Sequence, residues 1–233
     1  MTTLLCHLEF SRKEKKNFEV PFSPRRQNIL ILGIDSNGQG TDMWEGTRSD
    51  TILIVNIDPK THSIKAISIP RDSKVYLPDN KGVQKINYEK LGFYDIVAIT
   101  SVTSSVNRGY ELASYFKQKG SYIVMGGHHV TLLPDEAAEH AATVMTGPAD
   151  RIWREFISDY ANGTPKKRYD GEHCDIGAAN IIPMRELMQK SKYIGVPTVI
   201  ANFGCTNKCE FCVINSFWGG KHSTRQAVQA STN

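Results

Sequence analysis

The sequence predicts an α/β fold: a three-layer sandwich on a mainly parallel sheet, preceded by an antiparallel β-hairpin segment. Three observations carry it. Past Gly92, short apolar runs alternate with segments of helical spacing, the pattern of strand–helix–strand units with parallel pairing. Before Gly92, two β-branched runs flank the turn-forming Asp58-Pro59-Lys60-Thr61, the pattern of a hairpin. The 233 residues are 40% hydrophobic, 22% charged and 9% aromatic, which excludes disordered, collagen-like and disulfide-scaffold classes.

Each element follows in chain order. Residues 1–27 are polar and carry Arg12, Lys13, Lys15, Lys16, Arg25 and Arg26, so they read as a basic tail. Much of the net charge of +4 sits there. With no recognition helix or zinc-finger spacing nearby, a solvated arm is expected and nucleic acid is not an expected partner. Residues 29–34 are a short apolar strand running into Asp35, and a loop rich in Gly and Asp follows to Gly46. Residues 51–57 and 63–69 are the hairpin strands, and 74–90 reads mostly as loop. Residues 94–100 form a buried strand. Tyr110, Leu112, Ala113 and Phe116 give 107–119 its helical spacing, with Gly120 as the stop. A strand over 121–125 runs into Gly126-Gly127. Then come a helix at 134–142, a strand at 143–146 and a helix at 149–160 stopped near Gly163. Residues 166–179 are irregular, and 198–203 is a last strand.

The expected organisation is a tail (1–27), a hairpin segment (28–91), an α/β segment (92–165), a linker (166–197) and a cysteine segment (198–233). No apolar run approaches the roughly 18 residues of a membrane helix. No basic stretch precedes a sustained apolar run at the start. A cytoplasmic chain is expected.

Five cysteines are present, Cys6, Cys174, Cys205, Cys209 and Cys212, an odd count that argues against a disulfide framework. Three of them share one stretch, Cys205-Thr-Asn-Lys-Cys209-Glu-Phe-Cys212, with C-x3-C-x2-C spacing directly after a strand. Thiolates that close suit three irons of a four-iron cluster, with one iron left open. A zinc site would want a fourth ligand, and His222 is ten residues further on. A second constellation, Asp35, Arg48, Asp50, Arg71 and Asp72, sits at strand ends. Paired carboxylates there suit magnesium, and arginines suit a bidentate grip on phosphate. A surface ion-pair network is the plain alternative.

Four blocks in order, Asn28-Ile-Leu-Ile-Leu-Gly-Ile-Asp35, Arg48-Ser-Asp-Thr51, Ser68-Ile-Pro-Arg-Asp72 and Lys85-Ile-Asn87, resemble the LytR-CpsA-Psr family of glycopolymer phosphotransferases. The resemblance implies that Asp35 and Asp50 help hold Mg2+, that Arg48 and Arg71 grip a polyprenyl-pyrophosphate lipid, and that Asp72 orients Arg71. It breaks off near Lys90. Members of that family carry an N-terminal membrane helix, work outside the cell and contain a second half to this domain, none of which is expected here.

The stretch from about Gly92 to Arg225 is similar to radical S-adenosylmethionine proteins with an N-terminal cobalamin-binding domain. The residues that carry this are the cysteine string with Phe211 before its last cysteine, 95–105, 124–136 and Asn215-Ser-Phe-Trp-Gly-Gly220. The resemblance implies a [4Fe-4S] cluster on Cys205, Cys209 and Cys212. Its open iron would chelate S-adenosylmethionine, reduced by a donor such as a flavodoxin or ferredoxin. It also implies cobalamin, whose nucleotide tail would slide between strand ends at Ser101 and Gly126-Gly127. Asp58 and His62 lack the spacing of the family's Asp-x-His-x-x-Gly loop. His128-His129 reads as a loop anchor rather than a metal-ligand pair. Only 21 residues follow Cys212, where that family's barrel would stand. The expectation is a composite chain: a cobalamin-binding radical S-adenosylmethionine fragment lacking the barrel that directs catalysis. Behind it stand a Mg2+-dependent glycopolymer phosphotransferase and a non-catalytic cofactor-binding module.

Overall fold

The computed structural model describes residues 6–9, 26–36, 47–58, 60–61, 63–69, 74–76, 83–85, 94–149, 151–172, 202–218 and 220–224; for 6–9, 35–36, 47–50, 74–76 and 83–85 it describes the backbone. The chain divides into two compact units, Met1–Asp170 and Gly171–Asn233.

The first unit is built on one eight-stranded sheet. Its strands are β1 (Cys6–Glu9), β2 (Gln27–Ser36), β3 (Thr47–Asp58), β4 (Ser63–Ile69), β7 (Ile96–Ser101), β8 (Tyr122–Gly126), β9 (Thr143–Thr146) and β10 (Arg168–Asp170). A separate short hairpin pairs β5 (Lys74–Tyr76) with β6 (Val83–Lys85). The strand order in the large sheet is β1-β4-β3-β2-β7-β8-β9-β10. The first three neighbouring pairs are antiparallel, and the four from β2 to β10 are parallel. The predicted hairpin therefore extends the parallel sheet. β2 runs alongside β7 from Ile29↔Ile96 to Ile34↔Ser101. The start of that pairing is pinned twice: Asn28 N–H donates to the Asp95 carboxylate at 2.6 Å, and Asp95 N–H donates to the Asn28 carbonyl at 3.0 Å.

Period-2 alternation sends the apolar residues of each central strand to both faces, which is why these strands read as continuous apolar runs. On one face Leu30, Leu32, Val97, Ile99, Ile123, Met125 and Val144 pack against α1 (Val106–Gln118), α2 (His128–Leu132) and α3 (Pro134–Ala138). On the other, Ile29, Ile96, Val124 and Met145 pack against α4 (Ile152–Ala161). Phe116 of α1 and Phe156 of α4 are both fully buried, one in each layer. Each contributes on the order of 1.5–3 kcal/mol by leaving water. This is the expected three-layer sandwich.

Several elements escape the sequence pattern, α2 among them. Cys6–Glu9, within the expected tail, pairs as an edge strand on β4. Two three-residue strands, β5 and β6, occupy part of the expected loop 74–90. Arg168–Asp170, at the start of the expected linker, pairs in parallel with β9. With one apolar residue in three, β10 is too short to show a period. Its Tyr169 is nonetheless buried, and its hydroxyl donates to Asp159 at 2.7 Å while accepting Lys166 N–H at 2.9 Å.

The second unit pairs β11 (Asn202–Gly204) antiparallel with β12 (His222–Thr224). Between them lies α5 (Val213–Trp218), whose Trp218 ring packs 5.3 Å from Phe203. Among the described residues no helix is long and apolar enough to cross a membrane.

Candidate functional site

Because β7, β8 and β9 are parallel, their C-terminal ends share one sheet edge, where open α/β sheets hold their ligands. The β7–β8 ladder continues to Thr100↔Gly126, whereas the β8–β9 ladder stops at Met125↔Val144. Past that point a cavity of about 140 Å³ opens, lined by Ile31, Ala98, Thr100, Gly126, Gly127 and Trp153 among others. Ile31, Ala98 and Trp153 belong to the α4 layer, so the cavity lies on that face. It is well below the roughly 300 Å³ at which pockets for drug-sized ligands begin. An apolar slot of this size suits one flat ring, not a macrocycle.

Gly127 shapes the slot. Its φ of 100° and ψ of −172° lie in a region only glycine enters without strain. A Cβ there would stand 2.6 Å from Thr100 Oγ1 and 2.7 Å from the Ser101 carbonyl oxygen. The bare backbone after β8 thus lies directly on the end of β7.

The candidates Gly126 and Gly127 both line the slot, while Ser101 is not among its lining residues. Ser101 is buried, and its Oγ lies 3.5 Å from where a Cβ on Gly109 of α1 would be, with no hydrogen-bond partner among the described residues. Its neighbour Thr100 lines the slot instead. Strand alternation from Ala98 is enough to find Thr100. Trp153 and Met145 arrive from other elements and give no local signal.

His129 stands in α2 rather than in the expected loop, and its ring is held from both sides. It is buried, with Nδ1 3.2 Å from Thr103 Oγ1 and Nε2 3.4 Å from Glu136 Oε1. Glu136 also accepts the Tyr110 hydroxyl at 2.9 Å; that bond first, then His129, holds its carboxyl below the ordinary value. Burial, then the Glu136 carboxylate, pushes the Tyr110 hydroxyl up. Tyr110 in turn stacks on His140 at 3.8 Å. These contacts tie the loop after β7 to α1, α2 and α3.

In the second unit Gly204 ends β11 immediately before Cys205. The Cys212 N–H donates to the Cys209 carbonyl at 3.1 Å, closing the turn through Glu210-Phe211. All three thiols are free; Cys209 is exposed, and Cys205 and Cys212 are half-buried. Phe211 is 93% exposed, so among the described residues the aromatic between the last two cysteines has no packing role. Three accessible thiols in one short loop are the donor set a cluster needs. As they stand they are not gathered: no group of three or more metal-ligating side chains forms among the described residues.

At the far end of the β2–β3 ladder, Asp35 pairs with Arg48. The register shifts between Gly33 (opposite Thr51) and Ile34 (opposite Ser49), which makes Asp50 the extra residue of a β-bulge. The backbone therefore brings Asp35, Arg48 and Asp50 to one ladder end, and bulges recur beside functional sites. Arg71 and Asp72 lie outside the described residues.

Residues 6–107 match the LytR_cpsA_psr family. That span is wider than the 28–90 of the sequence motifs and runs through β7 into α1. The chain is also 33% identical over 159 residues to bacteriochlorophyllide d C-8(2)-methyltransferase of Chlorobaculum tepidum, covering 66% of this chain and 35% of that protein. It is 29% identical over 144 residues to the C-12(1)-methyltransferase of the same organism, covering 57% and 30%. A polyisoprenyl-teichoic acid–peptidoglycan teichoic acid transferase of Bacillus cereus is 36% identical over 61 residues, 26% of this chain and 18% of that protein. The chain thus spans about a third of the methyltransferases' length and under a fifth of the transferase's. It is similar to two kinds of transferase, and the family match ends in α1, just past β7, whose Ala98 and Thr100 line the slot.

Proposed function

We propose that this chain is the cofactor-binding part of a cytoplasmic, cobalamin-dependent radical S-adenosylmethionine methyltransferase. The observation that carries it is the apolar slot opened by Gly127 between the ends of β8 and β9, sized for the flat base of a corrinoid's nucleotide tail. Ile31, Ala98 and Trp153 would sandwich that base and keep water from it. Cys205, Cys209 and Cys212 would hold three irons of a [4Fe-4S] cluster, closing on it as they bind, with the open iron left for S-adenosylmethionine. When bound, the cluster supplies the electron that cleaves S-adenosylmethionine, and the corrinoid carries the methyl group. A flavodoxin or ferredoxin would reduce the cluster. The likeness to two bacteriochlorophyllide methyltransferases supports this reading over a plain cofactor-binding module.

Anaerobic reconstitution with iron and sulfide tests it. About four irons per chain are expected, with an EPR spectrum that shifts when S-adenosylmethionine is added. Cys209→Ser is expected to lose that iron. A single zinc, held with the help of His222, would defeat the cluster assignment.

The match over 6–107 favours one other reading, a Mg2+-dependent phosphotransfer from a polyprenyl pyrophosphate to a glycopolymer, which places the protein outside the cell membrane. Asp35 and Asp50 would hold the ion and Arg48 and Arg71 the pyrophosphate. Under this reading calorimetry with pyrophosphate shows binding only when Mg2+ is present, weakened at least about tenfold, or roughly 1.4 kcal/mol, in Arg48→Gln. Binding indifferent to Mg2+ and to Arg48 would remove it.

A further inference from the structure

The slot exists because β8 and β9 part company after two ladder positions, Val124↔Thr143 and Met125↔Val144. A side chain bridges the gap. Thr131, in α2, donates its hydroxyl to the Gly127 carbonyl at 2.8 Å and accepts the Gly147 N–H at 2.9 Å. Gly127 follows β8 and Gly147 follows β9; both line the slot, and both have positive φ, 100° and 67°. One hydroxyl, with a single proton and two lone pairs, thus joins two glycine turns that the sheet itself leaves apart. The Gly127 carbonyl also receives Thr131 N–H at 3.0 Å, so the helical turn persists without the hydroxyl and only the bridge to β9 depends on it.

We propose that Thr131 is a positioning residue for the slot: its bridge sets the distance between the Gly127 and Gly147 turns and so the fit of a flat ring between them. This rests on the reading that the slot takes the base of a corrinoid tail. Glycine turns have no side chains to hold one another, and without a bridge their separation would drift with each backbone fluctuation. A pocket held at its productive width before the ligand arrives avoids that ordering cost on binding.

The test uses the full chain with two probes, hydroxocobalamin and free 5,6-dimethylbenzimidazole, each followed by quenching of Trp153 fluorescence in a background where Trp44 and Trp218 are phenylalanine. Thr131→Val keeps the side chain's volume and removes the bridge. It is expected to weaken both probes about tenfold, the scale of two lost hydrogen bonds. Thr131→Ser, which restores the hydroxyl, is expected to recover the affinity. Independently of any ligand, the Gly147 amide is expected to exchange faster with solvent in the valine variant and at the parental rate in the serine variant. Unchanged affinity in Thr131→Val, or unchanged exchange at Gly147, overturns the inference while the slot assignment stands. If the parent protein binds neither probe although Gly147 exchange responds to the valine, the slot assignment itself fails. Thr131 then bridges two turns without serving a ligand.

Discussion

Gly127→Ala is expected to destabilise the first unit by about 3 kcal/mol or more. Two costs combine: the backbone strain of a side chain at φ 100°, ψ −172°, and overpacking against Thr100 Oγ1 at 2.6 Å and the Ser101 carbonyl at 2.7 Å. Neither neighbour is the tip of a long side chain that swings away. The Ser101 carbonyl belongs to the β7 backbone, which is held by β2 on one side and β8 on the other. For a chain of this size the melting temperature is expected to fall by about 6–12 °C. Gly163→Ala is the control, because Gly163 has a similar backbone problem, φ 76°, but nothing within 4 Å of the added methyl. Its cost is expected to be about 1 kcal/mol, the left-handed penalty alone. If the two variants melt alike, the close approach of the β8 turn to β7 is not what holds the slot's floor. Under the proposed reading, corrinoid binding is expected to vanish in Gly127→Ala and persist in Gly163→Ala.

Gly204→Ala carries the second large effect. Gly204 has φ 75°, and a Cβ there would lie 2.0 Å from the Lys221 carbonyl oxygen and 3.3 Å from His222 Cα. At 2.0 Å the two strands cannot remain paired, and β11–β12 has only three ladder positions over which to spread a shift. The cysteine loop begins at the next residue, so loss of this pairing frees its entry point. Iron retained after reconstitution is expected to fall about tenfold or more, since each roughly 1.4 kcal/mol of lost preorganisation is a factor of ten in affinity. The melting of the first unit is expected to stay where it was. Gly220→Ala, at φ 69° with nothing within 4 Å, is expected to keep its iron. Equal iron in the two alanine variants would mean that the β11–β12 contact does not organise the loop.

How far the sequence alone reaches depends on how local each feature is. The cysteine string is legible because its donors lie within eight residues and spacing alone limits what they can bind. Whether the thiols converge is a property of the folded loop, and as it stands they do not. Asp35, Arg48 and Asp50 were legible as a motif, but their meeting at one ladder end depends on a bulge that places Asp50 out of register, which composition does not reveal. Gly126-Gly127 was legible as a turn. That Thr100 rather than Ser101 lines the slot follows from which face of β7 meets α4, a matter of packing.

The α/β class follows from the sequence by itself, for a physical reason. Strands buried on both faces must be apolar throughout, helices between them must show one apolar stripe, and both periodicities are written within a dozen residues. The tertiary structure alone decided that the antiparallel segment and the parallel segment share one sheet. β2 and β7 are paired across a separation such as the 67 residues between Asn28 and Asp95, and no local pattern encodes a partner that far away. What selects it is the cost of the alternative: two long apolar strands each left with an unpaired edge of backbone N–H and C=O groups. Joining them satisfies those groups and completes both apolar layers, and it brings the end of the Asp35 strand to the same sheet edge as the slot.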